Sequence, residues 1–167
     1  RSGKGTFLRL VETVAGRRNR SSVTLHDLTN DGFAAANLHR KIVNLAGDLS
    51  DAHLKDISVF KQLTGGDALN ANPKYGKQFE FTNKALFLFS ANAVPTVSEQ
   101  SRAYMARMHP FRFDQSFEGS ENADVERELQ AEISGVLAHW VAAWQRWHSR
   151  GSLASPSLEV LKEFGEA

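Results

Sequence analysis

The stretch RSGKGTFLRLVETVAG, residues 1–16, decides how the rest of the chain is read. It joins a glycine-containing turn to a helix in which Phe7, Leu10, Val11 and Val14 recur at helical spacing, with Gly16 as the stop. Beyond it come Arg17, Arg18 and Arg20, a short strand expected at residues 23–25, and a helix expected at 32–39. KIVNLAG (41–47) reads as a buried strand whose polar end follows at once in Asp48, Ser50 and Asp51, and LKDISVFKQL (54–63) as a helix. Residues 65–81 place turn formers between alternating apolar positions around Phe79 and Phe81, which predicts a hairpin. ALFLFSAN (85–92) is a continuous apolar run of the kind buried on both faces of a central sheet. HPFRF (109–113) predicts another short strand. A helix is expected over 123–148, its apolar stripe marked by Val125, Leu129, Ile133, Val136, Trp140, Trp144 and Trp147, a face that suits packing against a core. SRGSLASPS (149–157) then reads as a linker and SLEVLKEFGEA (157–167) as the start of a further amphipathic helix. Strands alternating with helices predict a three-layer α/β fold with a largely parallel sheet.

The composition narrows the chemistry. At 167 residues the chain is long enough for one domain with its own core. Twenty Lys and Arg against nineteen Asp and Glu leave +1, so any contact with nucleic acid must come from a local patch. The absence of cysteine removes disulfides, zinc knuckles, iron–sulfur clusters and thiol catalysis together. No apolar run approaches the ~20 residues of a membrane span and no secretory pattern opens the chain, so a reducing, cytoplasmic setting is expected.

Five places carry residues suited to chemistry. In Ser2-Gly3-Lys4-Gly5-Thr6, backbone N–H groups at a helix start, a lysine for the outer phosphates and a hydroxyl for magnesium stand in the order a phosphate-binding loop requires. The bland alternative is a glycine-rich helix start with a solvated lysine. Asp48, just past a buried strand, suits a carboxylate that holds magnesium through water, with Asp51 the competitor and a helix cap the plain reading of either. Asn92, ending the apolar run, suits an amide that orients water against a γ-phosphate, or simply a turn. Arg107, or else Arg102, stands where a guanidinium could reach a neighbouring subunit's nucleotide, and a surface ion pair is the plain reading of both. The turn Asn72-Pro73-Lys74-Tyr75-Gly76-Lys77 sets two lysines around an aromatic, suited to phosphate and base contacts or merely to solubility.

Taken in order, SGKGTFLRL (2–10), LHRKIVNLAGDLSD (38–51), FKQLTGGDALNANPKYGKQFEF (60–81), ALFLFSANAVP (85–95), ARMHPFRFDQSF (106–117) and ELQAEISGVLAHWVAAW (128–144) resemble the helicase domain of phage- and plasmid-type and poxvirus-type primase-helicases, superfamily-three helicases within the AAA+ ATPases. The most specific part is TGGD with the Lys-Tyr turn and the strand ending Ser-Ala-Asn-x-x-Pro. The resemblance implies a P-loop sheet of AAA+ type with mainly parallel strands, a protruding β-hairpin and a C-terminal helix. It covers residues 1–150 as an ATPase core entered inside its phosphate loop, with 151–167 as linker and helical segment. It implies ATP and Mg2+ held by Gly3, Lys4, Gly5 and Thr6, with Thr6 and Asp48 on the metal, and a sensor role for Asn92. Arg107 would act across the subunit boundary of a ring, a hexamer, and Lys74, Tyr75 and Lys77 would contact single-stranded DNA. Two departures stand out: Gly5 occupies the usual Ser/Thr position, and one acidic residue stands at Asp48 where many relatives have two. The rival expectations are a nucleotide kinase of the adenylate-kinase-like class, which shares Ser-Gly-Lys-Gly-Thr, and an ATP-binding scaffold on DNA that does not hydrolyse.

Overall fold

The computed structural model describes residues 2–50, 56–92, 104, 106–152 and 160. Asp51, Arg102 and the expected helix over 157–167, save Val160, lie outside them. Helix α1 (Lys4–Ala15) leads through a single turn (Arg17–Asn19) into β1 (Arg20–Ser21), α2 (Leu25–Asn30), a 3-10 turn (Ala34–Leu38) and β2 (Val43–Leu49). Then come α3 (Ser58–Gly65), β3 (Ala68–Ala71), β4 (Phe79–Thr82), β5 (Leu86–Ala91), α4 (Val125–Ala131) and α5 (Ile133–Arg150).

The fold is α/β. Strands run β1-β2-β5, all parallel, and β3 and β4 form a separate antiparallel hairpin with Ala71 opposite Phe79. Alternation along the strands sorts side chains to two faces. Val43 and Leu45 of β2, with Leu88 of β5, pack against Leu8 and Val11 of α1. Ala46 of β2 and Phe87, Phe89 of β5 join Leu28, Leu38, Phe60 and Leu63 on the other face. Helices thus lie on both faces of the sheet, in three layers. No helix of the described residues is long and apolar enough to cross a membrane.

Local sequence explains most boundaries. Thr24 caps α2: its hydroxyl accepts from Asp27 N at 3.0 Å while the Asp27 carboxylate accepts from Thr24 N at 2.9 Å. That reciprocal cap is why the strand expected at 23–25 gives way: Leu25 is already helical, and the pairing residues are Arg20 and Ser21. The helix expected at 32–39 shrinks to the 3-10 turn at Ala34–Leu38. Before α3, Asp56 accepts from Ser58 N at 2.7 Å, and that backbone donor holds its carboxyl below the usual carboxylate range.

Three further expectations are corrected. The apolar run at 85–92 forms β5, but β2 is the middle strand of the described sheet, and Leu86 at the start of β5 is 62% exposed. HPFRF is not a strand: Pro110 withholds a donor, no described strand pairs with it, and Phe111 is 73% exposed. The helix expected over 123–148 breaks at Glu132, whose N–H is shared between Glu128 and Leu129 carbonyls at 3.2 Å each. Of its tryptophans, Trp140 packs on the Val11–Leu45 cluster, whereas Trp144, 55% exposed, stacks on His148 with centroids 5.2 Å apart.

Candidate nucleotide and nucleic-acid sites

In parallel α/β sheets ligands gather where strands end and helices begin. Here α1 begins at Lys4, preceded by Gly3 at φ 84°, a left-handed conformation that a side chain resists. Among the described residues no side chain caps this helix start, where the first N–H groups of a helix lack intrahelical partners. The Lys4 ammonium reaches across to the end of β5, donating to the Ala91 carbonyl at 2.8 Å and to Asn92 Oδ1 at 2.6 Å. Lys4 and Asn92, separated by most of the chain, are therefore in direct contact.

Asp48 is the penultimate residue of β2, the strand beside β5, at the same sheet edge. It falls in an irregularity: Ala46 pairs with Phe89 but Leu49 with Ala91, so one extra residue of β2 is taken up between them. Gly47 lies close to α1 and β5, since a Cβ there would meet Ser90 Oγ at 3.5 Å and Leu8 Cδ1 at 3.9 Å.

Thr6 faces elsewhere. Its hydroxyl accepts from Arg9 Nη2 at 3.3 Å, and Arg9 pairs with Glu126 of α4 at 2.5 Å. Arg9 and Glu126 had no motif to mark them; only the i, i+3 spacing of Thr6 and Arg9 was legible. A guanidinium beside the Thr6 oxygen is a poor neighbour for a dication, so the start of α1 fits phosphate better than it fits a metal bound directly at Thr6. Aromatic rings close over the same end of the helix. Phe113 lies 6.1 Å from Phe7, and Phe117 stands 3.9 Å from where a Gly3 Cβ would be.

Lys4 meets the end of β5, whereas Arg107 lies by the end of α3. Its N–H donates to the Tyr104 carbonyl at 3.0 Å, and its Nη2 lies 3.7 Å from the Cβ position of Gly65, in the TGGD turn that ends α3. Asn83 ties that region to the start of β5 by donating to Leu63 and Ala85 carbonyls at 3.3 and 3.0 Å.

The hairpin tip, residues 72–78, projects beyond the last pair of β3 and β4. Gly76 N donates to Pro73 O at 3.0 Å, and a Cβ at Gly76 would come within 2.6 Å of Pro73 Cγ, so only glycine closes this turn. Tyr75 takes φ 65° and is 97% exposed, with Lys74 Nζ 5.5 Å from its ring centre. Lys74 and Lys77 are exposed beside it.

Residues 1–107 match the sequence pattern of a family of unknown function, DUF5906. The chain belongs to DUF5906. No curated protein matches its sequence. Among solved structures, this DUF5906 chain is similar in fold to an apo structure of the NrS-1 C-terminal region, residues 305–718, with TM-score 0.56 and 18% identity over 80% of this chain and 33% of that one. An A-form apo structure of the same region gives TM-score 0.55 and 17% identity over 80% and 31%. The DUF5906 chain spans about a third of the length of these structures. At such identity the likeness is one of fold.

Proposed function

We propose that this DUF5906 chain is the ATP-hydrolysing core of a DNA-replication motor: a P-loop domain of AAA+ type that works in a ring as a helicase or translocase. One observation carries the reading. A lysine at an uncapped helix start, behind a left-handed glycine, meets a strand-ending amide at the edge of a parallel sheet. The sequence resemblance and the shared fold with the NrS-1 region support it.

ATP, when bound, supplies a phosphoanhydride whose cleavage releases energy and phosphate. Lys4 would exchange two neutral oxygen partners for charged phosphate oxygens, and charge-assisted hydrogen bonds are about twice as strong as neutral ones. Asn92, released from the ammonium, would keep its amide free to hold a water at the strand end. The N–H groups of Gly3, Lys4 and Gly5 would surround the phosphates, and Asp48 would hold Mg2+ through water. Arg107 would act toward a neighbouring subunit's nucleotide.

Phosphate release by the intact chain, with and without single-stranded DNA, tests the proposal; no turnover under either condition overturns it. Replacing Lys74 by Ala should weaken single-stranded DNA binding and remove most DNA stimulation while sparing basal release. Losing one cationic contact to the strand lowers the log–log salt slope by about 0.7, hence an expected drop of about fivefold near 0.1 M salt. If basal release fell in parallel, a damaged fold would be the explanation and the assigned role of the hairpin would be lost.

A further inference from the structure

The arginines after α1 are not used by the reading above, and they do not dangle at random. Arg17, Arg20 and Lys41 line an open groove of about 410 Å³ together with Ser22 and Asn37, at the edge where the parallel strands start. That edge is the far one from Lys4 and Asn92. Lys41 is held there by donating to the Arg18 carbonyl at 2.7 Å, and Ile42 N donates to Asn19 O at 2.9 Å, so the cationic turn and the entry to β2 form one unit. Glu12 offsets part of the charge, lying 3.0 Å from Arg20 Nε and 3.6 Å from Arg17 Nε. One carboxylate among three cations leaves the groove positive, and the Arg17 side chain is 93% exposed.

The segment between Asn37 and Lys41 touches the hairpin. His39, between Asn37 and Lys41, sets its ring 4.6 Å from that of Phe79 and 5.6 Å from that of Phe81 in β4. A cationic groove with an exposed amide and hydroxyl fits a flexible chain of phosphates, and the hairpin tip, with its bare phenol ring and two lysines, fits the stackable bases that such a chain carries.

We infer that the Arg17–Arg20–Lys41 groove is a binding track for the phosphate backbone of single-stranded DNA, a second contact besides the hairpin tip. It depends on phosphate chemistry at the strand-start edge and not on ATP turnover. The test is fluorescence anisotropy of a labelled single-stranded oligonucleotide on the intact chain across a salt series. The double substitution Arg17→Gln, Arg20→Gln removes two phosphate contacts, which should flatten the log–log salt slope by about 1.4 and weaken binding about 25-fold near 0.1 M salt. Arg17→Lys with Arg20→Lys should bind close to the wild type, since point charges suffice for phosphate. An unchanged slope in the glutamine variant overturns the inference. So does equal loss in the lysine variant, which would trace the effect to broken Glu12 packing. Tripolyphosphate bound as tightly as the oligonucleotide, with the same loss on substitution, would make this a small-anion site and also overturn it. ATP turnover separates the two readings: absent turnover with the DNA track intact defeats only the motor, and normal turnover with an unchanged slope defeats only the track.

Discussion

Lys4→Ala should lower ATP-dependent phosphate release by a factor of a hundred or more. The ammonium is the one cation brought to the end of β5 among the described contacts there, and it touches both the strand-ending carbonyl and the Asn92 amide. Preorganised charge aimed at developing phosphate charge is worth about 10²–10³ in rate when a single donor is removed. The fold should scarcely notice, because Lys4 is only half-buried and Ala is a better helix former. Lys4→Arg is the informative companion: the charge stays, but a planar fork does not reproduce a point charge between two oxygens, so turnover should be only partly recovered. Steady-state phosphate release alongside a thermal melt reads both effects. Wild-type turnover in the alanine variant, with unchanged melting, would remove the phosphate-loop assignment altogether.

Asn44→Ala should be the most destabilising single change in the sheet. Asn44 is fully buried in β2, and its amide does the work of a strand neighbour. Its Nδ2 donates to Val23 O at 2.8 Å, and its Oδ1 accepts from Val23 N and Ser21 Oγ, both at 2.8 Å. β1 pairs through only two residues, so this side chain extends the connection past Ser21 to the residue where the backbone turns into α2. Truncation strands a buried N–H and a buried C=O, each at roughly 1–3 kcal/mol, and opens a small void. A loss of about 3–5 kcal/mol, or ~10 °C in Tm for a chain of this size, is expected by denaturant titration and thermal melting. A change below ~1 kcal/mol would mean that water replaces the amide and that the strand does not need it.

Much of the fold was legible because burial leaves a periodic trace. β2 and β5 showed as apolar runs, the hairpin as alternation around turn residues, and α1 as a stripe closed by Gly16. β1 is not legible: a two-residue strand of Arg and Ser carries no pattern, and Leu25 after it belongs to a helix opened by the Thr24-x-x-Asp27 cap. HPFRF misled for the opposite reason, since alternation without a neighbouring strand has nothing to pair with. In the candidate site, the residue types at 3–6, 48 and 92 were visible, whereas the Lys4 bond to a carbonyl oxygen and the Arg9 contact to Thr6 depend on which surfaces meet in three dimensions. Asn44 carries no signal in the sequence, because an amide inside an apolar run looks the same with or without partners.

Tyr75 stands in a conformation that costs an ordinary residue about 1–2 kcal/mol, with almost none of its ring sheltered to offset it. Folding alone would favour a glycine or asparagine at that point, as most tight bends have. The proposed contact with a base would use that side chain as it stands, the stacked ring returning what the bend gives up.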